Sequence, residues 1–523
     1  MSTSAHAKKH WYFGLTGDKE SDPVLIARSS TEPYQYEDHA FRFWFPNGPE
    51  IPEYKIMSAI GSHPILAAYD THLRSRVREA LASIPWQIID IVRIGFADNQ
   101  DNPPVVLVTI KEEDVEENLV QSAVDQIRSI MVENDFLDVH AEAKTGTLYS
   151  QITYDVDRVI PLELKQTPKT GCSIGNACIG AGTLCLYVKV QGEMYGLTCK
   201  HVLLPMSSTV PGAPISDHSR VAVVGATVFQ PAIPDVEKEE AYITGLIALC
   251  QKRLDDFIVE ERNAKMGLTP PIRQARRQDA QKNHEWLDEL KGEKAKFDSF
   301  KPFMPFGAVH IVPGSLKNPV YGCARDWLLF KLFEERFRDP PRNVFPWMED
   351  EFRDNRRVRD SYKRRISRSC TMDAASETLP VTMEAGFPQF AGSTDHKQSH
   401  PIRVAKHGRS TGWTCGTLNK LRSDCRNVLP GQADLIMTEW CVINLPHTEH
   451  FSYKGDSGAA VIDFDGKIIG MVHRGSAKSE CYRAEMTYVT PMDWIIEDTK
   501  ATMGTDDIVF EEYIWDGVEG TGN

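Results

Sequence analysis

Gly455-Asp456-Ser457-Gly458-Ala459-Ala460-Val461-Ile462, followed by Ile468-Ile469-Gly470-Met471-Val472, is the stretch whose reading decides the fold. A nucleophilic serine needs a tight turn that pushes its hydroxyl outward, with backbone N–H groups aimed where negative charge develops. Gly-Asp-Ser-Gly suits that turn, because its glycines let the chain fold closely around the serine. The β-rich run that follows plants the turn on a sheet. Gly, Asp and Ser are also ordinary turn formers, so the tetrapeptide gains weight only from a base and an orienting acid elsewhere.

Both partners occur upstream in strand-like settings. Gly182 to Val190 reads as a strand, Gln191-Gly192-Glu193 as a turn, and Met194 to Cys199 as a returning strand that ends at Lys200-His201-Val202. A histidine just past a strand end is placed to reach a neighbouring hydroxyl as a general base. Further on, Arg325-Asp326-Trp327-Leu328-Leu329-Phe330-Lys331-Leu332 sets a carboxylate at the head of an apolar strand, where it can hold an imidazole in one tautomer. The ordinary alternatives are a polar turn for Ser457, a structural histidine for His201 and a strand-opening turn residue for Asp326. Asp434 is the rival acid.

Taken in order, "LTCKHV", "RDWLLFKL" and "GDSGAAV" resemble the three blocks of the trypsin-like (chymotrypsin-fold) serine proteases, approximately "LTaaHV", "DiALl.L" and "GDSGgp". Lys406 to Gly412 is similar to the family's "k.GrtTG" strand, and Ile468 to Gly475 to its "vvGivs.G" strand. The resemblance spans roughly residues 167 to 497 with two large interruptions, and Asp434 falls too late for the family's order. It implies Ser457 as nucleophile, His201 as general acid/base and Asp326 as orienting carboxylate, with the Gly455 and Ser457 amides as the oxyanion hole. By offset from the serine, Phe451 falls at the base of the substrate pocket, and His473, Arg474 and Gly475 on its wall. An aromatic base disfavours a basic substrate side chain, while His473 and Arg474 suit a carboxylate; an occluded pocket fits as well. The secreted branch of the family is activated by a cleavage whose new N-terminus inserts beside the Asp before the serine. Only Arg158-Val159-Ile160 suggests such a site, so the chain looks more like relatives that need none.

Composition frames this reading. A chain of 523 residues accommodates two to four domains. A net charge of −14 argues against a general nucleic-acid binder. No apolar stretch approaches the ~20 residues of a membrane span. Met1 to Trp11 is polar and lacks an apolar signal-peptide core. Eleven cysteines, without a C-x-x-C pair, indicate mostly free thiols in a reducing compartment and no structural zinc. Cys185 and Cys199 would face each other across their hairpin if its turn held three residues, though buried thiols are the simpler reading. The cytoplasm is the expected location, with the nucleus as alternative, and no secretion.

The expected fold is mainly β: a chymotrypsin-like double β-barrel with a helical-hairpin insertion, plus an N-terminal α+β domain. Residues 1–50 read as irregular and 51–160 as a domain of the order helix–strand–strand–helix–strand. Its helices carry Leu73, Val77, Ala80 and Leu81, then Val115, Leu119, Ala123, Ile127 and Ile130. Its strands cover Trp86 to Ile94, Val105 to Ile110 and Phe136 to Val139. The protease domain takes 167–497, with a helical insertion at 235–300 and a charged one at 333–380, and 498–523 form an acidic tail. The apolar stripe Ile243, Leu246, Ile247, Cys250, Leu254, Phe257 and Ile258, a break at Pro270-Pro271, and a second helix with Trp286, Leu287, Leu290 and Ala295 make the hairpin. Residues 352–368 hold eight basic residues against two acidic ones, which suits an anionic partner or nuclear import, although a solvated loop or helix face is the simpler reading.

The function expected is peptide-bond hydrolysis through an acyl-enzyme on a protein or peptide substrate, with no metal, no organic cofactor and no membrane partner. The alternatives are a protease-like barrel that no longer cuts and serves as an interaction scaffold, and an esterase of unrelated fold. The esterase lacks a G-x-S-x-G elbow around Ser457.

Overall fold

The structure is a computed structural model. It describes residues 5–16, 22–31, 55–96, 102–114, 116–150, 162, 164–177, 180–204, 226–263, 270–314, 317, 322–337, 340–343, 402–427, 435–445, 450–463, 468–478 and 484–510. The basic run 352–368, Asp434, Arg158 to Ile160, Val115 and residues 511–523 lie outside these, as do most of residues 1–50.

The first part of the chain forms strands β1 (Leu25–Arg28), β2 (Ile56–Ser58), β3 (Trp86–Gly95), β4 (Pro104–Ile110), β5 (His140–Thr145) and β6 (Thr147–Ser150). Its helices are α1 (Ala5–His10), α2 (Ile65–Ala68), α3 (Arg74–Ala80) and α4 (Glu117–Glu133). The period-2 alternation of β3 and β4 sorts two cores. Ile89, Ile91, Val106, Val108 and Ile110 face the helices with Leu73, Val77, Leu81, Val124 and Ile127. Ile88, Val92, Ile94, Val105 and Leu107 face the other way, onto Cys441, Ile443, Met486 and Tyr488 from later in the chain. Three expectations shift here. Residues 1–50 are not irregular throughout, since α1 and β1 lie within them and β1 pairs antiparallel with β5. Leu119 is exposed, and the stripe of α4 runs instead through Val120, Ala123, Val124, Ile127, Ile130 and Met131. Phe136 to Val139 is not a strand; pairing begins at His140, parallel to β4.

The middle part builds β7 (Ser173–Asn176), β8 (Gly180–Thr183), β9 (Leu186–Val190), β10 (Glu193–Cys199), β11 (Thr227–Phe229), β12 (Pro305–Ile311) and β13 (Trp327–Leu332). The short helix α5 (Lys200–Leu203) follows β10. The strand expected over Gly182 to Val190 bends at Leu184-Cys185. Its first half pairs with β7 and its second half with β10. The β9–β10 turn is two residues, Gln191 and Gly192, both at positive φ, as a tight hairpin requires. Cys185 and Cys199 are free, buried thiols.

Between β11 and β12 rise α6 (Ile233–Asn263) and α7 (Pro270–Phe300). Val236, Ile243, Cys250 and Leu254 of α6 pack on Leu287, Leu290, Phe297 and Phe300 of α7, and Arg276–Glu260 and Lys301–Glu240 pairs fasten them antiparallel. Ile258 lies outside this seam, and Trp286 is partly exposed.

The last part supplies β14 (Ile402–Gly408), β15 (Gly412–Leu418), β16 (Ser423–Asn427), β17 (Leu435–Asn444), β18 (Ala460–Asp463), β19 (Ile468–Ala477) and β20 (Met486–Pro491). Helix α8 (Met492–Met503) and β21 (Ile508–Phe510) end it. Strands β17-β15-β14-β18-β19-β20 pair in that order, and β20 pairs back to β17, closing a six-stranded antiparallel barrel. The described residues are therefore mainly β, with one closed barrel, a further eight-stranded sheet and several helices. The N-terminal sheet is continuous with the barrel sheet through β3 and β16. Residue 498, where the acidic tail is expected to begin, lies within α8, and β21 beyond it pairs with β9.

Candidate active site

His201 lies on α5, directly after β10, and Asp326 directly before β13, because these two strands pair with Cys199 opposite Trp327. The Lys200 amide donates to the Asp326 carbonyl at 3.0 Å, and the His201 amide to Asp326 Oδ1 at 3.1 Å. Imidazole and carboxylate are thus held together by backbone. Asp326 Oδ2 lies 2.5 Å from His201 Nδ1, and His201 Nε2 lies 2.7 Å from Ser457 Oγ. Burial alone would push the Asp326 carboxyl up, but the charge and hydrogen bond of His201, with His473 and Arg474 beyond, hold it at about 2. An ionised carboxylate only accepts, so the proton belongs on Nδ1, and Nε2 presents its lone pair to the serine.

The serine loop is fixed from both sides. Thr183, at the end of β8, donates its amide to Ser457 O at 2.8 Å and its hydroxyl to Gly455 O at 2.9 Å, while accepting the Arg409 amide at 3.1 Å. The Gly458 amide donates to Val472 O at 2.8 Å, and the Ala459 amide to Asp456 O at 2.9 Å. Gly458 sits at φ 91°, and a Cβ there would come within 2.1 Å of Thr183 O, so only glycine fits. Among the described residues, the Gly455 and Ser457 amides find no protein acceptor, whereas those of Asp456, Gly458 and Ala459 do.

Asp456 is the anchor that the sequence left without a partner. Its carboxylate accepts from the Ser410 amide at 2.9 Å, the Thr411 hydroxyl at 2.8 Å and the Tyr453 amide at 2.9 Å. It also pairs with Lys406 Nζ at 3.1 Å, both side chains fully buried. Lys406 was visible as a residue of the Lys406 to Gly412 strand, but no linear spacing joins it to Asp456. Burial draws the lysine's pKa down, with Asp456 opposing. Asp498 of α8 is a second missed residue: it accepts from Arg325 Nε at 2.9 Å and Trp327 Nε1 at 2.7 Å, fixing the chain on either side of Asp326.

The expected pocket residues are placed differently. Phe451 is fully buried in the barrel core with Val404, Leu418, Val442 and Val461. His473 is fully buried too; burial first, then Arg474, hold its pKa down at about 3, so it carries no charge to offer a substrate. Its Nδ1 lies 3.4 Å from Thr490 Oγ1, and its carbonyl oxygen lies 3.4 Å from Ser457 Oγ. Arg474 is buried beside Asp326, lining a small cavity with Lys200, Arg325 and Met437. Gly475 pairs with Tyr149 of β6. The carboxylate-binding wall expected of His473 and Arg474 is thus turned inward, because both side chains lie under the Asp326 side of the site.

Cys199 Sγ, His201 and Asp326 bring three ligand-type atoms within 4.8 Å of one another. Burial pushes the Cys199 thiol up, and it donates to Val472 O at 3.2 Å, while the other two bind each other, so the set suits a hydrogen-bond chain better than a metal. No helix among the described residues is long and apolar enough to cross a membrane.

No protein-family model matches this sequence, and no curated protein matches it. Among solved structures it is similar to the crystal structure of Thermobifida fusca protease A, at 10% identity and a TM-score of 0.26, covering 63% of this chain and 95% of that one. A likeness that slight carries no argument about this chain, and the local geometry has to stand by itself.

Proposed function

We propose that the chain is a serine endopeptidase of the trypsin-like kind. In this reading the eight-stranded sheet, whose bent segment pairs with both β7 and β10, is the first barrel of a double-barrel protease and the ring from β14 to β20 is the second. The protease domain is 167–497 and the N-terminal domain 51–160. The observation that carries the reading is the line Ser457 Oγ–His201 Nε2 at 2.7 Å and His201 Nδ1–Asp326 Oδ2 at 2.5 Å.

In the proposed cycle His201 Nε2 takes the Ser457 proton as Oγ attacks the scissile carbonyl carbon. The oxyanion is held by the Gly455 and Ser457 amides, which have no other acceptor among the described residues. The imidazolium is balanced by Asp326 and hands its proton to the leaving amine. Water then attacks the acyl carbon as His201 takes its proton; the bond to Ser457 Oγ breaks, Oγ takes that proton back, and the acid leaves. The buried Lys406 ammonium beside Asp456 supports a loop that needs no new N-terminus. The proposed location is the cytoplasm or nucleus, with the basic run 352–368 as a contact for an anionic partner.

Labelling by a fluorophosphonate probe tests this. Wild type should label, and Ser457→Ala and His201→Ala should not. An unlabelled wild type would favour the second reading, a barrel kept as a scaffold. That reading draws on the burial of the site, with Ser457 0% and His201 2% exposed.

A further inference from the structure

Strand β6 lies on an edge that leads to Ser457. It pairs antiparallel with β19, Thr147 opposite Ala477, Leu148 opposite Ser476, Tyr149 opposite Gly475 and Ser150 opposite Arg474. The next residue along β19 is His473, whose carbonyl oxygen lies 3.4 Å from Ser457 Oγ, and Val472 O then takes the Gly458 amide. A strand laid antiparallel here therefore advances on the nucleophile as its own chain runs C-terminal, by about 3.4 Å per residue. Main-chain pairing along a sheet edge holds an extended polypeptide largely without regard to its side chains. In this structure the chain's own segment has that place.

The segment is seated firmly. The Leu148 amide donates to Gln87 Oε1 at 2.8 Å, so by strand alternation the Thr147 and Tyr149 amides face β19. Lys454, the residue before Gly455, lies with its ammonium 5.6 Å from the Tyr149 ring. Upstream, only Gly146 separates β6 from β5, and its amide donates to Ile110 O at 2.9 Å. Lys144 of β5 pairs with Glu485 at 2.7 Å in a buried contact, and the Glu485 amide donates to Ser476 O at 2.7 Å, on β19 itself.

We propose that β6 is a built-in occupant of the β19 edge where extended polypeptide substrates bind, so that peptides reach Ser457 productively only when β6 yields. This rests on the endopeptidase reading above. Small acyl compounds, which need no strand pairing, are unaffected by β6.

The test uses the full chain and two variants. Tyr149→Pro deletes the amide that faces β19, and Tyr149→Ala keeps it while removing the ring beside Lys454. Fluorophosphonate labelling of Ser457 and hydrolysis of fluorescein-labelled denatured casein are measured side by side. The expected result is unchanged labelling with casein hydrolysis raised roughly tenfold in Tyr149→Pro, the worth of one or two released hydrogen bonds, and less in Tyr149→Ala. Equal labelling without any gain on casein would overturn self-occupancy and leave the nucleophile standing. An unlabelled wild type would sink the endopeptidase reading and this proposal with it. Should Tyr149→Pro alone lose labelling through misfolding, Tyr149→Ala decides: a gain supports the proposal and no gain overturns it.

Discussion

Replacing Lys406 by methionine keeps the length and apolar stem of the side chain and deletes its charge. In the native protein the ammonium sits 3.1 Å from Asp456 Oδ2, donates to Gly412 O at 3.3 Å and also contacts the Thr411 hydroxyl. Neither member of the pair is exposed. Removing one partner of a buried pair costs ~3–5 kcal/mol, because the other charge is stranded. Asp456 keeps four other donors, the Ser410, Thr411 and Tyr453 amides and the Thr411 hydroxyl, so the lower end applies, about 3 kcal/mol. If the loop relieves that cost by leaving its native turn, the population with Ser457 in place falls roughly 100-fold. The prediction is a loss of that order in the fluorophosphonate labelling rate of Lys406→Met, with a melting temperature lowered by several degrees. Lys406→Met/Asp456→Asn, which no longer strands a charge, should recover much of the thermal loss, an interaction visible in the double-mutant cycle. Wild-type labelling kinetics in a folded Lys406→Met protein would refute the reasoning. The ordering of the serine loop would then not depend on an internal ammonium.

Two further outcomes follow from neighbouring groups. Thr183→Val keeps the shape but loses the hydroxyl shared by Gly455 O and the Arg409 amide; with buried polar groups left unpaired at ~1–3 kcal/mol each, peptide hydrolysis should fall about 10- to 100-fold, read as kcat/KM, with a modest loss in thermal stability. Burial holds the Glu439 carboxyl protonated to about 8, against an ordinary 4.5. The folded protein therefore keeps a proton that the unfolded chain has shed, and stability falls as pH rises from 4.5 through about 8. Glu439→Gln removes that slope, so thermal melts should show the variant gaining on wild type between about pH 5 and pH 9. A gap that stays constant across this range would contradict it.

Legibility differed by the kind of constraint. Ser457, His201 and Asp326 were readable because each sits at a strand end or turn with a local signature. The pairing of β10 with β13 then brings the acid beside the base almost automatically. The helices α6 and α7 were readable from apolar period, and β3 and β4 from dense β-branched runs. What escaped was set by tertiary pairing. Lys406 is a charged residue in a strand, and its carboxylate partner Asp456 lies on another element. Their offset from the serine puts His473 and Arg474 on a pocket wall, but the bulge in β19 between Val472 and Arg474 changes which way side chains point. The four residues of β6 are too short and mixed for a periodic signal, and only their partner β19 makes them a strand. Phe136 to Val139 differs for a related reason: Phe136 and Val139 pack on the core behind α4 while Leu137 is exposed, and the parallel pairing that defines β5 starts one residue later.

The N-terminal sheet also bears on how firmly β6 is presented. Asp424 of β16 accepts from Arg74 and Arg78, Asp90 of β3 from the Ser423 and Tyr488 hydroxyls, and Lys144 of β5 pairs with Glu485, all across the boundary with the barrel. Asn419 adds a bond to the Ile60 amide at 3.1 Å and to Ile91 O at 2.8 Å. Pulling the two parts asunder would expose the shared face of Ile88, Val92, Cys441 and Tyr488 and leave several charges unpaired at once. Separation of whole domains is therefore an expensive way to clear the β19 edge. Peeling four residues of β6, whose side chains are only partly buried from Thr147 to Tyr149, costs far less. Because β6 is held beside its partner by β5, it re-forms without the entropy that an incoming peptide must give up. Any substrate that wins the edge has to do so through contacts β6 does not make. On this account, selectivity comes as much from the competitor built into the chain as from a side-chain pocket.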